Sequence, residues 1–317
     1  MNQLAMSSSD QLNSSLEHHQ NYSSSTAIKN TALVVEGGGQ RGIFTAGILD
    51  SWIAQSFNPF SLLIGTSAGA QNLSSYMSGQ FGYAKRSIMQ LSQHPEFFNM
   101  KRPLAGGNTV DLDWYFKKAC DPEYQLNMGC VQRQLEKRTL LFAATNMEDF
   151  SPRFLQPTQN NWLTMLKASS ALPYLYKNGV AIDGEHFVDG GVALPIPVQE
   201  AYQRGAKKII VLRTVAKEQN VHSPWAHTLK SWMCSSQRCP KVLNIITGHE
   251  NAYNEAVKFI NSPPEDVQVI EIAPAKKLTS RLIGSSDEAL AADYKMGYIT
   301  GMQFLASQNA YLFKENK

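Results

Sequence analysis

Three short stretches of the chain bring together residue types that could do acyl chemistry. Gly65-Thr66-Ser67-Ala68-Gly69 follows the apolar run Leu62-Leu63-Ile64 and fits the pattern G-x-S-x-G. Small neighbours on both sides let a sharp strand-to-helix turn push a serine hydroxyl into a site, as a nucleophile requires. The helix beyond it would aim its free N–H groups and its dipole at negative charge developing beside Ser67. Standing alone, the same five residues also suit a plain glycine-rich turn before a capped helix, so their meaning depends on their neighbours.

The stretch Gly37-Gly38-Gly39-Gln40-Arg41-Gly42 lies just upstream, between an apolar run and a helical pattern. It satisfies the dinucleotide fingerprint G-x-G-x-x-G. That fingerprint also wants an acidic residue about 20 positions further on, at the end of the second strand, to hold ribose hydroxyls. Phe60 to Gly65 contains no acid and runs into the serine turn instead. The other reading is an oxyanion hole, in which unhindered backbone N–H groups hold the charge of a tetrahedral intermediate. Ser67 on the very next strand decides for the second. Arg41 could bind a lipid phosphate or brace the loop by donating to backbone carbonyls, and the brace is the expectation.

A base is the third requirement. Asp189-Gly190-Gly191 follows a short apolar stretch, where the glycines would let a substrate or another backbone come close to the carboxylate. As an isolated pair, Asp-Gly marks a turn. Asp183-Gly184 is a rival of the same kind, but it stands where a hairpin turn is wanted between Ala181 and Phe187. A triad of Ser67, Asp189 and one of His222, His227 or His249 is the alternative arrangement, with the imidazole as base. These histidines and His186 are otherwise expected to be ordinary surface or packing residues.

Taken in series, the three stretches resemble the patatin-like phospholipase family in its bacterial branch. The family pattern is a G-G-G-x-[RK]-G oxyanion loop, a G-x-S-x-G elbow and a D-G-[GA] base motif, and Gly37 to Gly42, Gly65 to Gly69 and Asp189 to Gly191 follow it in order. Ala168-Ser169-Ser170-Ala171-Leu172-Pro173 is similar to the family's A-S-x-A-x-P segment. The resemblance covers roughly residues 31 to 213. It implies a three-layer α/β/α fold with a mainly parallel sheet and hydrolysis of lipid acyl esters by a Ser67–Asp189 dyad. Gly37, Gly38, Gly39, Arg41 and Gly42 would then form the oxyanion loop, Gly65, Thr66, Ala68 and Gly69 the elbow, and Gly190 and Gly191 the base motif. It also implies phospholipid as substrate class, no cofactor and no metal. A general carboxylesterase and a non-catalytic lipid- or nucleotide-binding module of the same fold are the alternatives.

The elements needed to position these groups are legible as short apolar runs separated by helical patterns. Strands are expected at Ala32–Val35, Leu62–Ile64, Thr139–Thr145, Phe187–Val188, Lys208–Arg213 and Val267–Ile272, with helices from Ile43 to Ile53, from the elbow to about Met77, and near 111–119, 160–170, 196–204 and 286–307. Alternating β and α elements argue for a parallel sheet covered on both faces. His94 to Asn108, rich in Pro and Gly, reads as a long connection in which Phe97 and Phe98 either form a lid or lipid-contact loop or tuck into the core. A second connection is expected from about Val215 to Pro224. Trp225, Trp232 and Met233 suit either a lipid-facing surface or the core.

Bulk properties set the outer limits. The 317 residues are 43% hydrophobic and 17% charged, which is ordinary for a globular protein. A net charge of +3 favours no nucleic-acid partner, and membrane contact would be transient. Cys120, Cys130, Cys234 and Cys239 are too irregularly spaced for a disulfide framework or a zinc site. Residues 1–28 are rich in Ser, Asn and Gln, lack Lys and Arg, and read as a disordered tail without a Sec-type signal. Residues 29–317 then form a single hydrolase domain. With no apolar run near the ~20 residues that span a bilayer, a cytoplasmic location, or export by another route, is expected.

Overall fold

The structure, a computed structural model, describes residues 26–217 and 240–313. Most of the polar tail, His222, Trp225, His227, Trp232, Met233, Cys234 and Cys239 lie outside the described residues. Eight strands form one sheet: β1 (Ile28–Val35), β2 (Phe60–Thr66), β3 (Thr139–Asn146), β4 (Pro152–Leu155), β5 (Val180–Ile182), β6 (Glu185–Asp189), β7 (Lys208–Leu212) and β8 (Gln268–Ile272). Their order is β5-β6-β3-β2-β1-β7-β8, with β4 paired to β3. The central pairs β3–β2, β2–β1, β1–β7 and β7–β8 are parallel, whereas β4, β5 and β6 join antiparallel at one side.

Helices cover both faces: α1 (Gly42–Ala54), α2 (Ala68–Ser78), α3 (Leu112–Lys118), α4 (Met128–Leu135), α5 (Trp162–Ser170), α6 (Val198–Gln203), α7 (Pro240–Asn261) and α8 (Asp287–Ala306). The two-residue period of the strands sorts their side chains between two cores. Leu33, Val35, Leu63, Phe142 and Leu212 face one core with Trp52 of α1, Leu73 of α2, Trp162 of α5 and Phe304 of α8. Ala32, Val34, Ile64, Leu141 and Val211 face the other with Val198 and Ala201 of α6 and Tyr253, Ala256 and Ile260 of α7. Strands buried on both faces read as continuous apolar runs, which is why β1, β2 and β7 stand out in the sequence. The result is the three-layer α/β/α arrangement.

The expected strands and helices form, with ends shifted by a few residues. Asp183 and Gly184, both at positive φ, make the turn of the β5–β6 hairpin. Phe97 and Phe98 are half-buried against the core, and the large apolar residues that the 94–108 connection exposes are Met100 (58%) and Leu104 (90%).

Candidate active site

The site lies beyond the carboxyl ends of the parallel strands, where α/β sheets bind ligands beside the strand at which the connections change direction. That strand is β1, which pairs with β2 on one side and β7 on the other. Its loop, Gly37 to Gly42, is wedged between the two neighbours. A Cβ on Gly37 would meet the Thr66 carbonyl at 3.2 Å, and one on Gly38 would meet Thr214 Oγ1 at 2.7 Å. Gly39 has φ +56°, and a Cβ there would lie 2.2 Å from the Leu282 carbonyl. The neighbouring Gln40 N–H donates to that carbonyl at 2.9 Å. Among the described residues, neither the Gly38 nor the Gly39 N–H donates to a backbone carbonyl, so both are free for a ligand.

The loop is anchored from below by buried charge. Arg213 Nε donates to Glu36 at 3.1 Å and its Nη1 to Glu271 at 2.6 Å, while Glu36 Oε2 also accepts from the Thr214 N–H at 2.5 Å. With Arg213 fully buried, removing one partner would leave an uncompensated charge in the interior.

Ser67 occupies the turn between β2 and α2 with φ 54° and ψ −119°. Holding a non-glycine residue there costs about 1–3 kcal/mol, which the surroundings must over-determine. They do so by close packing: a Cβ on Gly69 would fall 2.4 Å from the Val35 carbonyl, and one on Gly65 would fall 2.7 Å from the Ala70 nitrogen. Ser169 at the end of α5 adds a second clamp. Its hydroxyl accepts from the Ser67 N–H at 3.0 Å and donates to the Ala143 carbonyl of β3 at 2.6 Å. This is what Ala168 to Pro173 contributes to the site.

Asp189 ends β6 and is 1% exposed. Its Oδ1 accepts from the Gly191 N–H at 2.7 Å, and its Oδ2 is buried without a hydrogen bond of full geometry. Burial raises the carboxyl pKa to about 6, against the lowering influence of the Ser67 hydroxyl and the Gly191 N–H. Gly190 packs on β3, with no room for a Cβ beside the Ala143 carbonyl at 2.3 Å. Ser67, Asp189, Gly37 to Gly39 and Gly191 line one cavity of about 390 Å³. The three motifs therefore meet at one point.

A family model described as patatin-like phospholipase matches residues 33–202, and one described as a domain of unknown function, DUF6363, matches residues 239–313. The chain is 42% identical over 277 residues to the uncharacterized protein YjjU of Escherichia coli K12, covering 87% of this chain and 77% of that protein. The chain belongs to the patatin-like phospholipase family. Among solved structures, VipD from Legionella pneumophila shares the fold at a TM-score of 0.50 and 14% identity, over 89% of this chain and 67% of that one. Membership implies hydrolase activity on lipids.

Within this patatin-like site two further residues matter. Arg41 is buried, and burial lowers its pKa against the raising influence of Glu36 and Tyr253. Among the described residues its buried Nε has no hydrogen-bond partner, so the expected brace does not form through it there, and the guanidinium lines the cavity. His249 of α7 is 2% exposed and also lines the cavity. Its Nδ1 bonds the Gly191 carbonyl, and burial first of all lowers its pKa to about 4. The expected surface or packing role fits both: His186 is exposed on β6, and His249 is a buried packing residue, stacked 6.0 Å from the Tyr253 ring, that also reaches the cavity. A lone histidine in a helical stretch carries no local signal of this, because its approach is set by how α7 crosses the strand ends.

A second cavity, about 570 Å³ with its mouth included, opens on the other side of Ser67. Its lining is largely apolar, with Phe97, Val110, Leu112 and Ile283 prominent. Gly39, Ser67, Leu172 and Leu282 line both cavities. Ser67 thus stands at the seam between a chamber of mixed lining, which holds the charged and polar groups Glu36, Arg41, Asp189 and His249, and a mainly apolar one.

Proposed function

We propose that the protein is a serine lipid acyl hydrolase that cleaves fatty acyl esters, phospholipid among them, through a Ser67–Asp189 dyad. The observation that carries this reading is the position of Ser67: strained on its elbow, beside a buried carboxylate, with a mainly apolar chamber on one side and one of mixed lining on the other. An acyl chain suits the first chamber and the alcohol portion the second. The buried Arg41 Nε, without a hydrogen-bond partner among the described residues, supports an anionic group, such as a phosphodiester, in the second chamber.

In the proposed reaction Ser67 Oγ attacks the ester carbonyl while its proton passes to Asp189 Oδ2. The Gly38 and Gly39 N–H groups hold the oxyanion, where each such donor is worth about 3 kcal/mol of barrier. Collapse expels the alcohol, which takes the proton from Asp189. Water then attacks the acyl-serine, giving its proton to Asp189, and collapse of that intermediate passes the proton from Asp189 to the departing Ser67 Oγ as the carboxylic acid is released. A carboxylate whose pKa lies near 6 is a stronger base than an imidazole whose pKa lies near 4. No imidazole bonds Asp189 among the described residues. Both facts favour the dyad over a triad through His249.

Residues 29–317 are proposed to act as one domain, since Ile245, Ile246 and Phe304 share a core with Leu33 and Phe142. No described helix is long and apolar enough to cross a membrane, so a lipid substrate is reached from its surface. The test is a fluorophosphonate probe together with a lipid ester assay. Labelling of Ser67 and ester turnover are expected, and folded protein that shows neither is a binding module instead.

A further inference from the structure

The apolar chamber beside Ser67 ends at a side-chain partition. Tyr115 of α3 donates its hydroxyl to Gln71 Oε1 at 2.8 Å, and Gln71 Nε2 donates to Ser170 Oγ at 3.1 Å. Gln71 lies one helical turn beyond Ser67 on α2, its N–H bonded to the Ser67 carbonyl, so the partition is tied directly to the elbow. The Tyr115 ring is itself fixed, 5.2 Å from the Phe97 ring at the chamber wall and 5.2 Å from Phe116. Behind it lies a third cavity, about 440 Å³ with its open mouth included, among Tyr83, Leu91, Phe116, Leu126, Leu163 and Leu166. Gln71, Ile88 and Tyr115 line both the chamber and the space behind it. The two are neighbours separated by one hydrogen-bonded pair.

We propose that the Tyr115–Gln71 pair is the floor of the acyl-binding site and sets the length of acyl chain the protein accepts. This inference rests on the hydrolase reading above. The mainly apolar chamber suits an unbranched hydrocarbon entering from an ester carbonyl held at Ser67, and the Tyr115–Gln71 hydrogen bond stands between that chamber and the space behind it. A chain that stops short of the pair buries all its methylenes against Phe97, Val110 and Leu112. A longer chain must either break the hydrogen bond and leave the half-buried Gln71 amide and the buried Tyr115 hydroxyl unpaired, or leave methylenes in water. Discrimination by length follows from that choice. The rear cavity is space the same chain could fill once the floor is removed.

The test is a series of p-nitrophenyl esters from acetyl to palmitoyl, with kcat/KM measured for the wild-type protein and for Tyr115→Leu. Wild-type kcat/KM should climb with chain length and then fall. In Tyr115→Leu the maximum should move to longer chains, with the palmitoyl-to-hexanoyl ratio rising by at least about tenfold, given how much each buried methylene contributes. Adding Ala119→Phe, which fills the rear cavity, should push the maximum back. A wild-type profile that never falls overturns the floor without any variant, and so does a folded Tyr115→Leu with an unchanged profile. No turnover of any ester by the wild-type protein overturns the hydrolase reading and the floor with it, whereas turnover with an unmoved profile overturns the floor alone.

Discussion

The groups proposed to carry the chemistry and the walls that surround them come from different regions held in different ways. The loops Gly37 to Gly42, Gly65 to Gly69 and Asp189 to Gly191 sit at strand ends, in backbone conformations and contacts that leave no room for a Cβ at Gly38, Gly39, Gly65, Gly69 or Gly190. Residues 240–313 reach the same cavities through the packing of α7, which brings His249 and Tyr253 to their rims, and through the connection between β8 and α8, which brings Leu282 and Ile283. Position in the first region is fixed by covalent geometry and the sheet register, and in the second by side-chain contacts. Changes in the first should therefore abolish chemistry, while changes in the second should tune it.

The sharpest form of this contrast is Ser67→Ala and Asp189→Asn. Each should lower turnover by at least roughly a thousandfold in protein with wild-type circular dichroism, with fluorophosphonate labelling lost in Ser67→Ala. Gly39→Ala probes the border between the regions, because the added methyl would meet the Leu282 carbonyl and φ is +56°. A loss of roughly 10- to 100-fold in kcat with little change in KM is expected, since an oxyanion donor would move. Unchanged kcat would break the assignment of this loop.

His249→Ala is the matching test of the second region, and it should keep at least about a tenth of wild-type turnover. Its larger signature is in stability. Burial lowers the pKa from 6.5 to about 4, so between those values the unfolded chain holds a proton that the folded protein refuses. The stability that neutral His249 contributes is fully present above pH 6.5 and is lost as pH falls towards 4. Urea unfolding across that window should show the gap between wild type and variant narrowing as pH falls. Asp189 acts in the opposite sense, since a carboxyl raised from 3.8 to about 6 makes folding less favourable as pH rises through that interval. The smallest effect is expected outside both regions: removing residues 1–25 should leave activity within a few-fold, because β1 begins only at Ile28.

The same contrast explains what was legible in the sequence. A serine elbow, a glycine loop and an Asp-Gly-Gly turn are local devices, each spelled by adjacent residues because the backbone there tolerates nothing else, and the doubly buried strands announce themselves as apolar runs. Strands β4 and β5, of four and three residues, are too short for a period to show. The approach of His249 and the Tyr115–Gln71 contact depend on residues 58 and 44 positions from their partners. That the Arg41 Nε lacks a partner among the described residues was equally hidden, since the type of a side chain does not reveal whether a carbonyl waits beside it.

The central claim is that the Asp189 carboxylate, and not an imidazole, takes the proton from Ser67. The pH dependence of kcat/KM for a short soluble ester, measured in the wild-type protein and in His249→Ala, tests it most directly. Because the base must be ionised and its pKa lies near 6, activity should fall below about pH 6 in both proteins, with the same apparent pKa. An acidic limb that disappears or shifts when His249 is replaced, in protein that remains folded, contradicts the account.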